Sequence, residues 1–157
     1  MTAVDRFATL AESFGRWAAD GADAGETAAR HALAHLAELF SAALALPDAE
    51  PVGGEPPHVT GEEWDRVFRA CRRLPIQHYG TVFDPLTLPT DGLDVGDLAD
   101  DLADVYQEVV SGLRAYQGGD TAGAAWQWRF TFWCHWGRHA ASAVSVLRTW
   151  LEENGAH

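Results

Sequence analysis

His135 and His139 stand four residues apart in the stretch Trp126-Gln-Trp-Arg-Phe-Thr-Phe-Trp-Cys-His-Trp-Gly-Arg-His139. On a helix that spacing puts both imidazoles one turn apart on one face, where they could chelate a single divalent ion. Asp97 and Asp101 repeat the spacing in Gly96-Asp-Leu-Ala-Asp-Asp-Leu-Ala-Asp104, and Asp104 and Glu108 continue the row. Two such pairs on facing helices would resemble the carboxylate and histidine metal sites inside helix bundles, with His135, His139 and Asp101 as the candidate ligands. Two features weigh against it: the His-Glu-x-x-His pattern is absent, and Arg138 would set a positive charge beside the cation.

The same stretch holds four of the seven tryptophans, and on a helical wheel its polar residues Gln127, Thr131, His135 and Arg138 form one narrow stripe. Nearly everything else on this helix is apolar, which predicts a central position with neighbours on several sides. Arg129 falls among Trp133, Trp136, Ala140 and Leu147, and His139 falls with Trp128, Phe132, Ala143 and Trp150. A guanidinium keeps its charge at any accessible pH, so a buried Arg129 needs a carboxylate. The acid row Asp97, Asp101, Asp104 and Glu108 is the obvious donor, and at least one aspartate is expected to pair with Arg129, His135, Arg138 or His139. The simpler account of the row is a solvated helix face, with acids near the N-terminus favoured by the dipole.

Other candidates carry less. His78 and Tyr79 lie in an apolar loop that faces the aromatic helix and are candidate ligand contacts. His31 and His35 repeat the one-turn spacing in an alanine- and leucine-rich helix and read as the edge of its apolar face. Cys71 and Cys134 sit among helix-like apolar neighbours, outside any Cys-x-x-Cys pair, and are expected to be buried free thiols. No nucleophile elbow, phosphate-binding glycine loop or dinucleotide fingerprint occurs.

Five helical segments must position these residues. The first spans Thr2 to Ala19, with Thr2 as N-cap and Val4, Phe7, Leu10, Phe14 and Trp17 on one face. The second spans Ala24 to Leu46, with Asp23 and Glu26 at capping-box spacing. Residues 47–59 carry four prolines and two glycines and read as a mobile loop. Thr60-Gly-Glu-Glu63 is a capping box that opens a third helix, which stops at Pro75. The segment 75–92 is too interrupted by Gly and Pro for regular structure, yet its apolar residues predict that it packs on the body as a wall or lid. The fourth helix spans Val95 to Tyr116, and the fifth runs from about 120 to 153 with a bend near Gly137. A strand over 126–132 is rejected, because the alternation breaks at Trp133 and no partner strand is evident. The expected fold is all-α, a four- or five-helix bundle, in a single domain over 1–157.

Composition narrows the function classes. At 157 residues, 23 acidic and 11 basic, the chain has a net charge of −12, which repels phosphate backbones and anionic lipid. Direct nucleic-acid binding and membrane association are therefore not expected. No apolar run reaches the length of a bilayer span, and the N-terminus lacks a signal pattern, so the expected location is cytoplasmic.

At Tyr79-Gly-Thr-Val-Phe-Asp-Pro85, the acid row 96–104 and His135-Trp-Gly-Arg-His139, the chain resembles a bacterial family catalogued as domain of unknown function 5063, over about residues 60 to 150. The resemblance implies a small all-helical protein without an assigned activity. It also implies a link to DNA repair through a protein partner rather than through DNA itself. Two readings follow. One is a non-catalytic module, without cofactor, that binds a small-molecule ligand or a protein partner, its oligomeric state open. The other is a metal-dependent enzyme or metalloprotein that uses His135 and His139 with Asp97, Asp101 or Asp104 and a divalent metal.

Overall fold

The structure, a computed structural model, describes residues 1–51, 54–55, 57–90 and 92–155. The mobility expected for 47–59 rests in part on residues 52, 53 and 56, which lie outside the described residues. The helices are α1 (Ala3–Asp20), α2 (Gly25–Leu44), α3 (Gly61–Ala70), α4 (Leu98–Gln117), α5 (Thr121–Thr131) and α6 (Gly137–Glu153). A π-helical turn, Phe132–Trp136, joins α5 to α6, so the two form one rod with its irregularity just before Gly137, where the bend was expected. The bundle is thus all-α with five rods, as the periodicity predicts.

Local chemistry sets the helix starts. Thr2 and Thr60 cap α1 and α3, each in a reciprocal capping box, with Asp5 and Glu63 respectively. The Asp23 box does not form: Ala24 is the N-cap of α2 and no side chain caps the helix. Asp23 is instead drawn to three other groups, accepting from Trp17 Nε1 at 2.8 Å and Arg73 Nε at 3.2 Å and pairing with His31 Nδ1 at 2.6 Å. Those contacts tie α1, α2 and the short 3-10 turn Cys71–Arg73 together and outweigh one helix cap.

Residues 75–97 differ from expectation in two ways. A short antiparallel hairpin forms between β1 (His78–Thr81) and β2 (Asp94–Asp97), with His78 opposite Asp97 and Tyr79 opposite Gly96. Only part of the segment packs on the body: Ile76, Tyr79 and Val82 are half-buried, whereas Phe83, Leu86, Leu88 and Leu93 are exposed. Pro85 and Pro89 lie in the chain between the two strands.

The central rod is α4, which packs against α1, α3, α5 and α6, while α2 lies against α1 and α6. The α5–α6 rod is central on one side only. Trp128 and Trp136 are fully buried, but Phe130 and Trp133 face outward and Cys134 is exposed, contrary to the expected buried thiol. Cys71 is buried as expected, and burial pushes its thiol up to about 12.

One ion pair gives a direct check on the packing of α3 against α4. Arg114 donates from Nη1 and Nη2 to the two Glu63 oxygens at 3.0 and 2.7 Å, and these bonds, then the Thr60 N–H, hold Glu63 down to about 2. A carboxyl depressed on folding stabilises the protein above its unfolded pKa and loses that contribution as pH falls from about 4.5 to about 2. Glu63→Gln should therefore cost about 1–2 kcal/mol at pH 7, and the gap from wild type should close at about pH 2 in chemical denaturation.

Candidate functional site

Asp97 N-caps α4, accepting from the N–H groups of Ala99 at 3.0 Å and Asp100 at 3.3 Å, and this starts a helix whose next turns present Asp101, Asp104 and Glu108 to the α5–α6 rod. Capping removes Asp97 from the expected pairing with Asp101. Its other oxygen faces His78 Nε2 at 3.5 Å and Arg72 at 3.8 Å near the surface. The structure thus brings His78 to the acid row only at its exposed end.

The inner members converge. His139 Nδ1 lies 2.7 Å from Asp101 Oδ1, and its Nε2 lies 3.1 Å from Asp104 Oδ2. His135 Nδ1 lies 2.9 Å from Glu108 Oε1, and its Nε2 lies 3.5 Å from the same Asp104 oxygen. Each carboxylate is held from behind. The Tyr79 hydroxyl donates a short hydrogen bond to Asp101 Oδ2, Trp64 Nε1 donates to Asp104 Oδ1 at 2.9 Å, and Gln127 Nε2 donates to Glu108 Oε2 at 2.9 Å. The hairpin is what delivers Tyr79: its ring lies over Gly96, where any Cβ would collide with it.

Four ring nitrogens therefore face carboxylate oxygens, although a neutral imidazole carries only one N–H. When Nδ1–H of each ring donates to its own carboxylate, both Nε2 lone pairs point at an oxygen that is also an acceptor. A cation placed between the two rings and Asp104 would satisfy both lone pairs and the carboxylate oxygen at once. Burial by itself lowers the His139 pKa, but the hydrogen bond it donates to Asp101 and the charges of Asp101, Asp104 and Asp100 outweigh it and raise it. Asp100, half-buried beside these acids, is raised by desolvation first and by Asp104 next.

The same geometry suits a metal ion. Asp104, His135 and His139 offer three ligand atoms within 4.8 Å of one another, and Asp100, Asp101 and His139 form a second such group. Ligands about 2.1 Å from a tetrahedral ion stand about 3.4 Å apart, and the two Nε2 to oxygen distances here are 3.1 and 3.5 Å. Of the ligands expected from the sequence, His135 and His139 converge on Asp104, while Asp101 stands behind His139.

Two expected members are placed elsewhere. Arg129 is only partly buried and pairs with Asp48 in the loop after α2, Nε to Oδ1 at 2.8 Å, while its Nη1 donates to the Leu46 carbonyl at 2.9 Å. Because Asp48 is 92 % exposed, Arg129→Ala should change stability by about 1 kcal/mol or less, measured by thermal unfolding. Arg138 stacks its guanidinium over the Phe83 ring at 4.5 Å, outside the acid network. It borders a pocket of about 620 Å³ whose floor includes Asp100, Asp101 and His139 and whose wall includes Tyr79, Phe83 and Val95.

Three supporting residues were not singled out from sequence. Gln127 falls only in the polar stripe of the aromatic helix, and Trp64 lies in the third helix without a role of its own. Asp100 falls outside the one-turn spacing that picks out Asp97, Asp101, Asp104 and Glu108. The available signal for Trp64 was its indole N–H, a donor that needs an acceptor when half-buried.

Comparison with known proteins agrees with the architecture. A solved structure described as protein BF1032 from Bacteroides fragilis is similar over 93 % of this chain and 90 % of its own, with a TM-score of 0.76 and 21 % identity, a likeness of fold. No curated protein matches. No helix among the described residues is long and apolar enough to cross a membrane. Residues 2–152 match the family described as domain of unknown function (DUF5063), and the chain belongs to that family.

Proposed function

We propose that the protein is a metal-binding helical bundle in which His135 Nε2, His139 Nε2 and Asp104 Oδ2 hold one divalent transition-metal ion. The observation that carries this reading is the convergence of both Nε2 atoms on a single carboxylate oxygen while each Nδ1 is engaged by a carboxylate of its own. Metal-binding histidines characteristically have such a second partner, which fixes the tautomer and raises the basicity of the ligating nitrogen. Trp64 orients Asp104 in the same sense. Two imidazoles and one carboxylate suit zinc or ferrous iron and leave positions open for water or a ligand.

Cobalt(II) titration of the full chain tests this directly. A one-to-one complex with visible ligand-field bands, absent in His135→Ala and in His139→Ala, is expected. Absence of those bands in folded wild-type protein would refute the site.

A second reading, binding of a small molecule without catalysis, draws on the 620 Å³ pocket, which falls within the usual size range of ligand sites. Because His139 and Asp101 border that pocket, the two readings are compatible. The link to DNA repair through a protein partner rests on family resemblance, and the site's geometry adds nothing to it.

A further inference from the structure

The polar site leaves unused the aromatic face that α5 and the π turn present to solvent. Trp126 and Phe130 stack with ring centroids 4.9 Å apart and planes at 8°, and Phe130 and Trp133 are 53 % and 69 % exposed. Between them lies a groove of about 330 Å³ bordered by Asp48, Trp126, Arg129, Phe130, Trp133 and Cys134. Contiguous aromatic surface with an arginine at its edge is the composition of protein interface anchors, and monomers seldom leave it uncovered.

Charge selects the occupant. The chain carries −12, yet residues 121–151 contain no Asp or Glu, and Asp48, the one carboxylate lining the groove among the described residues, is paired with Arg129. An electroneutral apolar face gives no purchase to a strongly basic or acidic partner, and it is where two copies of an acidic protein meet with least repulsion. The face also carries both halves of a self-complementary contact, an outstanding indole and the groove beside it. A twofold axis would seat each Trp133 in the groove of the other copy, as isologous contacts require. We propose that this face is the homodimer interface of the protein, with Trp133 and Phe130 as its anchors.

Sedimentation equilibrium of the full chain tests the proposal, with the thiol of Cys134 as an internal reporter. Wild type should reach the mass of two chains as concentration rises, and Trp133→Glu and Phe130→Glu should keep the mass of one chain with helical circular dichroism unchanged. Alkylation of Cys134, exposed on one chain while Cys71 is buried, should slow with concentration in wild type and not in Trp133→Glu. Three results would overturn the proposal: a single-chain mass for wild type throughout, a dimer that persists in both variants with Cys134 equally reactive, or a monomer that uses this face only for a different protein. None of these residues belongs to the metal set, so either idea can fail without the other.

Discussion

Alanine at His135 or His139 should abolish stoichiometric metal binding, and substitutions one layer out should weaken it in a graded way. Each imidazole supplies one of three proposed ligand atoms, so its loss leaves two, too few for a site of this kind. Asp101→Asn and Glu108→Gln preserve shape but remove the negative oxygens that face His139 Nδ1 and His135 Nδ1. Loss of such partners costs about 10–100-fold in metal affinity. Tyr79→Phe acts one step further back, by freeing the Asp101 oxygen it now holds, and should have the smallest effect of the series. Competition titration against a chromophoric chelator reads this order. A flat response across all five variants would mean that the metal sits elsewhere.

The second large effect is on stability. Trp128 is fully buried, packs on Phe7 at 4.6 Å between ring centroids, and donates from Nε1 to the Val109 carbonyl at 2.8 Å. That hydrogen bond brings the indole edge against the α4 backbone at Gly112, where a Cβ would overlap it. Trp128→Ala leaves a large cavity and removes the second donor to the Val109 carbonyl, and should cost about 3–5 kcal/mol in denaturant unfolding. Gly112→Val attacks the same contact from the other side and should be similarly disruptive. Trp133→Ala, on the exposed side of the same rod, should have little effect on a single folded chain.

Much of the fold was legible because its signals are local. Apolar spacing in Phe7, Phe14 and Trp17, the N-cap Thr2 and the box Thr60 to Glu63 define helix faces and starts within a few residues. The hairpin was not, because its strands are four residues each and their pairing spans a loop broken by two prolines. The aromatic helix was legible only in part. A wheel at constant pitch carries the phase of α5 into α6, but the π turn Phe132–Trp136 resets it, which lets Trp136 stay inside while Trp133 and Cys134 turn out. Arg129 found its carboxylate at Asp48, close in space and far in sequence, in a segment with no periodicity to place it.

For the site, helical spacing put His135 near His139 and aligned Asp101, Asp104 and Glu108 on one side. What spacing could not supply was the crossing of α4 and α6, which decides that Asp104 rather than Asp101 meets both Nε2 atoms. It also could not show that Asp97 is used as a helix cap.

Elemental analysis of protein purified without an affinity tag tests the central claim most directly. The expected result is one transition-metal ion per chain in wild type, either as purified or after incubation with zinc, manganese or ferrous iron, and none in the His135→Ala, His139→Ala double variant. Folded wild-type protein that retains no metal after all three incubations would contradict it.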